Sequence, residues 1–112
     1  MALKRGDVVL VPFPYAELRA SKTRPALIMS STAFASAEGR ITVAGITSNV
    51  AAHRNPTNYE LPNWAATGLK KPSVVTSWLA TISPQLMQLT IGHLTGKDLK
   101  EVEKRLQAAL EL

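Results

Sequence analysis

The sequence predicts a mainly β fold, in which a small antiparallel barrel is covered at its C-terminal end by one α-helix. Two observations predict this fold. Short β-branched and apolar runs bounded by Pro, Gly and Asn recur up to residue 94, and helical periodicity begins only after it. The chain has 112 residues, which suffices for one domain with a core but not for two ordinary domains. We therefore expect a single domain spanning residues 1–112.

The strands are expected where β-branched residues lie between turn residues. The first opens after Gly6 and stops near Pro12 and Pro14, and the second and third are joined by a Ser-, Ala- and Gly-rich connection that suits a hairpin. Residues 49–58 are polar and contain proline, which favours a loop. In order, the expected strands cover residues 6–13, 24–30, 40–48, 59–61, 73–82 and 86–94.

The C-terminal segment is predicted to be a helix over residues 96–110. Thr95 followed by Asp98 resembles a capping box in which Asp replaces the usual Glu. Leu99, Val102 and Leu106 recur at helical spacing, so one face is expected to pack on the sheet.

Composition restricts the classes of function. Cysteine is absent and there are only two histidines, so we expect no metal site, no cofactor and no disulfide. No apolar run has the length of a membrane span and no signal-peptide core is present, so we expect a cytoplasmic protein without a membrane partner.

The net charge of +5 arises entirely before residue 97, because the last 16 residues carry equal numbers of acidic and basic side chains. This basic surplus suits binding to phosphates, although a solvated surface that aids solubility is equally compatible with it.

Arg24 is the first candidate for chemistry. Pro25 disfavours helical angles at the residue before it, so Arg24 is expected to stand in extended backbone at a strand entrance. From this position its guanidinium can hold a phosphate bidentately, and Lys22 would add a second cation. The alternative is an arginine that lies across apolar surface or pairs with Glu17 or Glu60.

A second candidate cluster follows the third strand in the segment "GITSNV". Thr47, Ser48 and Asn49 could surround a phosphate, although the same residue types are ordinary turn formers. His53 and Arg54 add a possible base and a cation, and the alternative for this histidine is a solvated loop residue.

RNA cleavage by its own 2'-hydroxyl requires no external nucleophile and no metal. It requires a proton acceptor, a proton donor and a cation near the phosphate. If the strand ends at Arg24 and Thr47 lie together, this chain offers that set. It lacks the nucleophile elbow and the phosphate-binding glycine loop of other hydrolytic enzymes.

Five segments in the same order resemble the MazF/PemK family of toxins from prokaryotic toxin-antitoxin systems. They are "GDVVLVPFPY", "KTRPALIMS", "GITSN", "LKKPSVV" followed by "LATI", and "IGHLTGKDLKEVEKRL". The resemblance implies an SH3-like barrel of the MazF/CcdB type, a homodimer and a small antitoxin partner.

It also implies a metal-independent endoribonuclease that cuts single-stranded RNA, including mRNA, at short sequences and leaves 2',3'-cyclic phosphate and 5'-hydroxyl ends. In this resemblance Arg24 stabilises the phosphorane and donates a proton, Thr47 orients the reacting group, and Ser48 and Glu17 are weaker candidates.

One segment departs from the family pattern. Many relatives carry an acidic residue or Gln followed by a basic residue in the fifth strand, where this chain has "TSWLATI". Trp78 in this segment could stack on a base, but a core or dimer-interface tryptophan is expected. The alternative function is a non-catalytic toxin or binding module of the same fold, either a gyrase-poison-like protein or an inactive RNA binder.

Overall fold

The computed structural model describes residues 3–13 and 22–112, and these segments contain six strands and three α-helices. The strands are β1 (Asp7–Phe13), β2 (Lys22–Ile28), β3 (Ile41–Thr47), β4 (Tyr59–Glu60), β5 (Val74–Ile82) and β6 (Leu89–His93). The helices are α1 (Thr32–Glu38), α2 (Val50–His53) and α3 (Gly96–Leu110), and short 3-10 helices cover Trp64–Thr67 and Pro84–Leu86.

All six strands join one antiparallel sheet in the order β4-β5-β3-β2-β1-β6. The central β1, β2 and β3 are rich in Val, Ile and Ala, which suits strands that are covered on both faces. The predicted mainly β architecture with a C-terminal helix is confirmed.

Alternation along the strands produces two apolar clusters, one on each face of the sheet. The helix-side cluster includes Val8, Leu27 and Val75 and is covered by Val102 of α3, with Leu99 and Leu106 packed against it. The opposite cluster is made by Val9, Val11, Ala26, Ile28, Ile41, Val43 and Ile82.

The connection between β2 and β3 differs from the predicted hairpin turn. The two strands do pair antiparallel, but residues between them form α1. Ser31 caps this helix, since its hydroxyl accepts a hydrogen bond from the Phe34 amide at 3.0 Å, and Gly39 ends it with a φ of 65°. Likewise, residues 49–58, predicted to be a loop, contain the single turn of α2.

Helix α3 has the predicted bounds, but the role of Asp98 differs from that in a capping box. Thr95 Oγ1 accepts a hydrogen bond from the Asp98 amide at 3.2 Å, as expected of an N-cap. The Asp98 carboxylate, however, accepts from the Tyr59 hydroxyl at 2.8 Å. This bond ties the start of α3 to β4. None of the helices in the described segments is long and apolar enough to span a membrane.

Candidate nucleic-acid interface and cleavage site

The antiparallel pairing of β2 with β3 brings Arg24 and Thr47 to the same end of the sheet. The ladder joins Leu27 to Ala44 and ends with Ala26 and Gly45, and Arg24 and Thr47 each lie two residues beyond this last pair on their own strands. Both residues thus lie at the same end of adjacent strands, as the sequence led us to expect. On its other side, Arg24 pairs in register with Val11 of β1.

A groove of about 410 Å³ opens at this end of the sheet, and Arg24 lines it. Lys70 and Lys71 line it from the segment before β5, so three of its described lining residues are cationic and none is acidic. Its other described lining residues are Leu10, Thr23, Pro25, Ile46, Ser48, Gly68, Leu69, Ser73 and Ile91. A cationic groove with hydroxyl donors and an apolar floor can hold a phosphodiester and its sugar.

Close backbone packing positions the two lysines. A Cβ on Gly68 would lie 2.1 Å from the carbonyl oxygen of Ile91, and Gly68 has a φ of +85°. A Cβ on Gly92 would lie 2.3 Å from the carbonyl oxygen of Thr67. Only glycine permits this approach of the segment before Leu69 to β6. This contact therefore fixes the position of the backbone at Gly68, two residues before Lys70.

The hydroxyl residues at the end of β3, Thr47 and Ser48, have different positions relative to the groove. Ser48 is exposed and lines the groove, whereas Thr47 is not among the groove residues that the structure describes. Thr47 Oγ1 accepts a hydrogen bond from the Asn49 amide at 3.2 Å, and Asn49 precedes α2. Thr47 thus shapes the turn out of β3, and Ser48 presents its hydroxyl with Arg24.

The remaining charged candidates lie apart from this cluster. Arg54 binds Glu60, with 3.0 Å between Nε and Oε1, and this hydrogen bond and attraction raise the pKa of Arg54. The sequence left open a pairing of Arg24 with Glu60, but the structure shows Glu60 paired with Arg54. Lys22 is exposed at the start of β2, opposite Phe13, and Glu17 lies outside the described residues.

His53 ends α2 and contacts Trp78. The two rings meet edge to face with 4.7 Å between centroids, and Trp78 is 54% exposed. A core position for Trp78, one of the roles expected from the sequence, is therefore wrong. His53 does not line the described part of the Arg24 groove.

A second cavity of about 230 Å³ is lined by His53, Tyr59, Glu60 and Arg105, among others. The Arg105 guanidinium lies 5.8 Å from the centre of the Tyr59 ring. Burial and the hydrogen bond to Asp98 raise the pKa of Tyr59 to about 12. Since these groups bind one another, the cavity joins α3 to the sheet.

The sequence pattern of one family matches residues 4–110, nearly the whole chain. Its members are described as PemK-like, MazF-like toxins of type II toxin-antitoxin systems. The chain belongs to this family.

Solved structures of MazF proteins share the fold. A Mycobacterium tuberculosis toxin, MazF-mt6, superposes with a TM-score of 0.78 at 24% identity, covering 95% of this chain and 97% of the toxin. MazF from Deinococcus radiodurans gives 0.76 at 22% identity, covering 100% and 99%. An endoribonuclease in complex with its cognate antitoxin, from a mycobacterial species, gives 0.79 at 20% identity, covering 99% and 97%. No curated protein matches the sequence significantly.

Sequence reasoning leaves Lys70, Lys71 and Ser73 out of the candidate site of this MazF-like toxin. The two lysines are visible as basic residues in a polar segment, but their distance in sequence from Arg24 gives no sign of a shared groove. The close approach of Gly68 to β6, which brings them there, depends on a contact between segments more than 20 residues apart. The Lys-Lys-Pro run before a strand is the signal that the sequence offers.

Proposed function

We propose that this MazF-like toxin is an endoribonuclease that cuts single-stranded RNA, mRNA included, in the Arg24 groove. The observation that carries this proposal is the groove itself. Arg24, Lys70 and Lys71 converge there with the Ser48 hydroxyl, and no acidic side chain is present among its described lining residues. Such a groove favours a polyanion.

In this reaction the RNA supplies its own nucleophile. The 2'-oxygen forms a bond to phosphorus while the bond from phosphorus to the 5'-oxygen breaks. The 2'-hydroxyl proton passes to water and the 5'-oxygen takes up a proton, which leaves a 2',3'-cyclic phosphate and a 5'-hydroxyl. No step requires a metal or a cofactor.

Arg24 stabilises the negative charge that builds on the phosphate oxygens, since a guanidinium offers two parallel donors and keeps its charge. Ser48 donates to the same phosphate from the end of β3, and Thr47 fixes the turn that presents Ser48. Lys70 and Lys71 hold the neighbouring phosphates. Asn49, whose amide binds Thr47, completes the turn.

We further propose that the toxin acts in the cytoplasm as a homodimer and is inhibited by a cognate antitoxin. The support is family membership together with likeness to an endoribonuclease in complex with its cognate antitoxin. Sedimentation of the purified toxin tests the homodimer, and copurification after co-expression with any short acidic reading frame found directly upstream of its gene tests the antitoxin.

The test of the activity is incubation of the purified toxin with long single-stranded RNA in the presence of EDTA. We expect discrete fragments with 5'-hydroxyl ends, whose sequencing gives the cleavage motif. Arg24→Ala should lower the cleavage rate by about 10² to 10³. Arg40→Ala is the matched control, because Arg40 is exposed just before the opposite end of β3, and its rate should equal that of the wild type.

Intact RNA over excess toxin, across varied sequences, would refute the proposal. RNA binding without cleavage would instead identify an inactive RNA binder. Gyrase binding without RNA binding would identify a gyrase-poison-like toxin. Normal cleavage by Arg24→Ala would refute the assignment of the cleavage site but not the proposed endoribonuclease activity.

A further inference from the structure

The β5 strand contains a bulge that presents Trp78. Leu79 pairs with Ala44 and Val75 with Ile46, so three residues of β5, Thr76 to Trp78, stand opposite Gly45 alone. Bulges leave residues out of the ladder and re-aim side chains, often beside active sites. This bulge interrupts the same strand pair whose end carries Thr47, which pairs with Val74.

Side-chain hydrogen bonds hold the bulge in one shape. Thr76 Oγ1 donates to the Gly45 carbonyl at 2.7 Å and accepts from the Trp78 amide at 3.2 Å. Ser77 Oγ donates to the Thr57 carbonyl at 2.6 Å, and the Ser77 amide donates to Asn58 at 3.2 Å. These bonds replace the missing ladder bonds, so Trp78 stands on a fixed backbone.

We propose that Trp78 is a stacking platform for a base of the RNA, a role that rests on the proposed endoribonuclease function. The ring is 54% exposed, and His53 supports it by an edge-to-face contact at 4.7 Å. A fixed, exposed indole and a cationic groove are the two features that single-strand binders use, for aromatic stacking and for backbone neutralisation.

The location fits an RNA that also occupies the groove. Ser73 lines the groove and lies five positions before Trp78 in the chain, so the two residues are at most about 16 Å apart. That length corresponds to roughly five stacked nucleotides at about 3.4 Å each. One strand of RNA could therefore place a phosphate against Arg24 and a nearby base against Trp78.

The surroundings of Trp78 favour RNA over a protein partner. Its bulge neighbours Thr76 and Ser77 are hydrogen-bonded polar residues, whereas a protein-binding surface is typically a contiguous apolar patch.

The experiment measures binding of a mixed-sequence 2'-O-methyl RNA, which lacks the attacking hydroxyl and cannot be cut. Trp78→Ala should weaken binding by about 5-fold or more, with Trp78→Phe intermediate. Leu79→Ala, a change at the exposed apolar residue next to Trp78 that pairs with Ala44 in the ladder, is the matched control and should bind within twofold of the wild type. In a Trp64→Phe background Trp78 is the only tryptophan, and the RNA should quench its fluorescence.

Sedimentation and urea unfolding of Trp78→Ala should equal those of the wild type. Unchanged RNA affinity in Trp78→Ala, an equal loss in Leu79→Ala, or an altered oligomeric state in Trp78→Ala would each overturn the stacking role, the last in favour of a second copy as the occupant. If the wild type cuts RNA and Arg24→Ala does not, these results overturn only the Trp78 proposal. A wild type that neither binds nor cuts RNA overturns both proposals.

Discussion

Replacement of Gly68 by alanine tests the close backbone packing of Gly68 against Ile91 beside the groove. Two independent costs follow from the structure. The φ of +85° is unfavourable for any residue with a Cβ, which costs about 1 kcal/mol. The new methyl would also lie 2.1 Å from the Ile91 carbonyl oxygen, a backbone atom that cannot rotate away. Such overpacking costs a further 1 to 3 kcal/mol, roughly.

Gly39→Ala is the matched control for the first cost. Gly39 also has a positive φ, +65°, but no atom outside its immediate neighbours lies within 4 Å of the position that a methyl group would take there. We therefore expect a loss of about 1 kcal/mol for Gly39→Ala and about 2 to 4 kcal/mol for Gly68→Ala. A difference of 1 to 3 kcal/mol corresponds to roughly 4 to 12 °C in Tm for a chain of this size.

The assay is urea unfolding followed by far-UV circular dichroism, with RNA affinity measured below the unfolding transition. Gly68→Ala should also weaken RNA binding, because relief of the clash moves the segment that carries Lys70 and Lys71. Equal stability losses in the two variants would show that Gly68 and Ile91 are not in contact and would remove the reason for placing the lysines in the groove.

Three further predictions concern the groove, the core and Tyr59. Alanine at both Lys70 and Lys71 should reduce the slope of log affinity against log salt by about 1.4, since each phosphate contact with a single strand contributes about 0.7, and a titration from low to high salt measures it. Leu27→Ala, at a position with 0% exposure, should lower the free energy of unfolding by about 3 to 5 kcal/mol in urea. Burial and the hydrogen bond to Asp98 raise the pKa of Tyr59 from 10.0 to about 12, so the neutral phenol stabilises the fold fully below about pH 10, and this stabilisation is lost as the pH rises toward 12. Tyr59→Phe should lack this alkaline loss, and unfolding curves of both proteins across that range decide it.

The strands could be predicted because their signals are local. Val8 to Val11 and Ile41 to Ile46 alternate or run apolar between turn residues, and the predicted bounds lie within two residues of those found for β1, β2 and β3. Helix α1 escapes prediction although Ser31 and Gly39 mark its two ends, because its small residues bury no apolar face. A helix of seven residues without a buried stripe has no periodicity from which to predict it.

The candidate site was harder to predict from the sequence than the strands were, as Arg24 and Lys70 illustrate. Pro25 marks Arg24 as a strand entrance, and the order of hairpin strands implies that Thr47 lies at the same end of the sheet. Nothing local relates Lys70 to either residue, since it reaches the groove through the contact of Gly68 with β6. Similarly, Trp78 lies in a run of strand-forming residues, and a bulge that exposes it arises only from the pairing of β5 with β3.

In the proposed function the two strand ends bind a phosphate of the RNA and the bulge binds a base. Different parts of the sheet hold these two sites. Arg24 and Ser48 are mounted on β2 and β3, whose ladder is set by buried Ala26, Leu27 and Gly45, so the phosphate grip belongs to the central sheet. Trp78 depends on hydrogen bonds of Thr76 and Ser77 in β5, which lies between β3 and the short edge strand β4. Since Thr76 to Trp78 stand outside the ladder of β5 with β3, changes in the bulge are expected to alter which base is held without disturbing the groove that holds the phosphate.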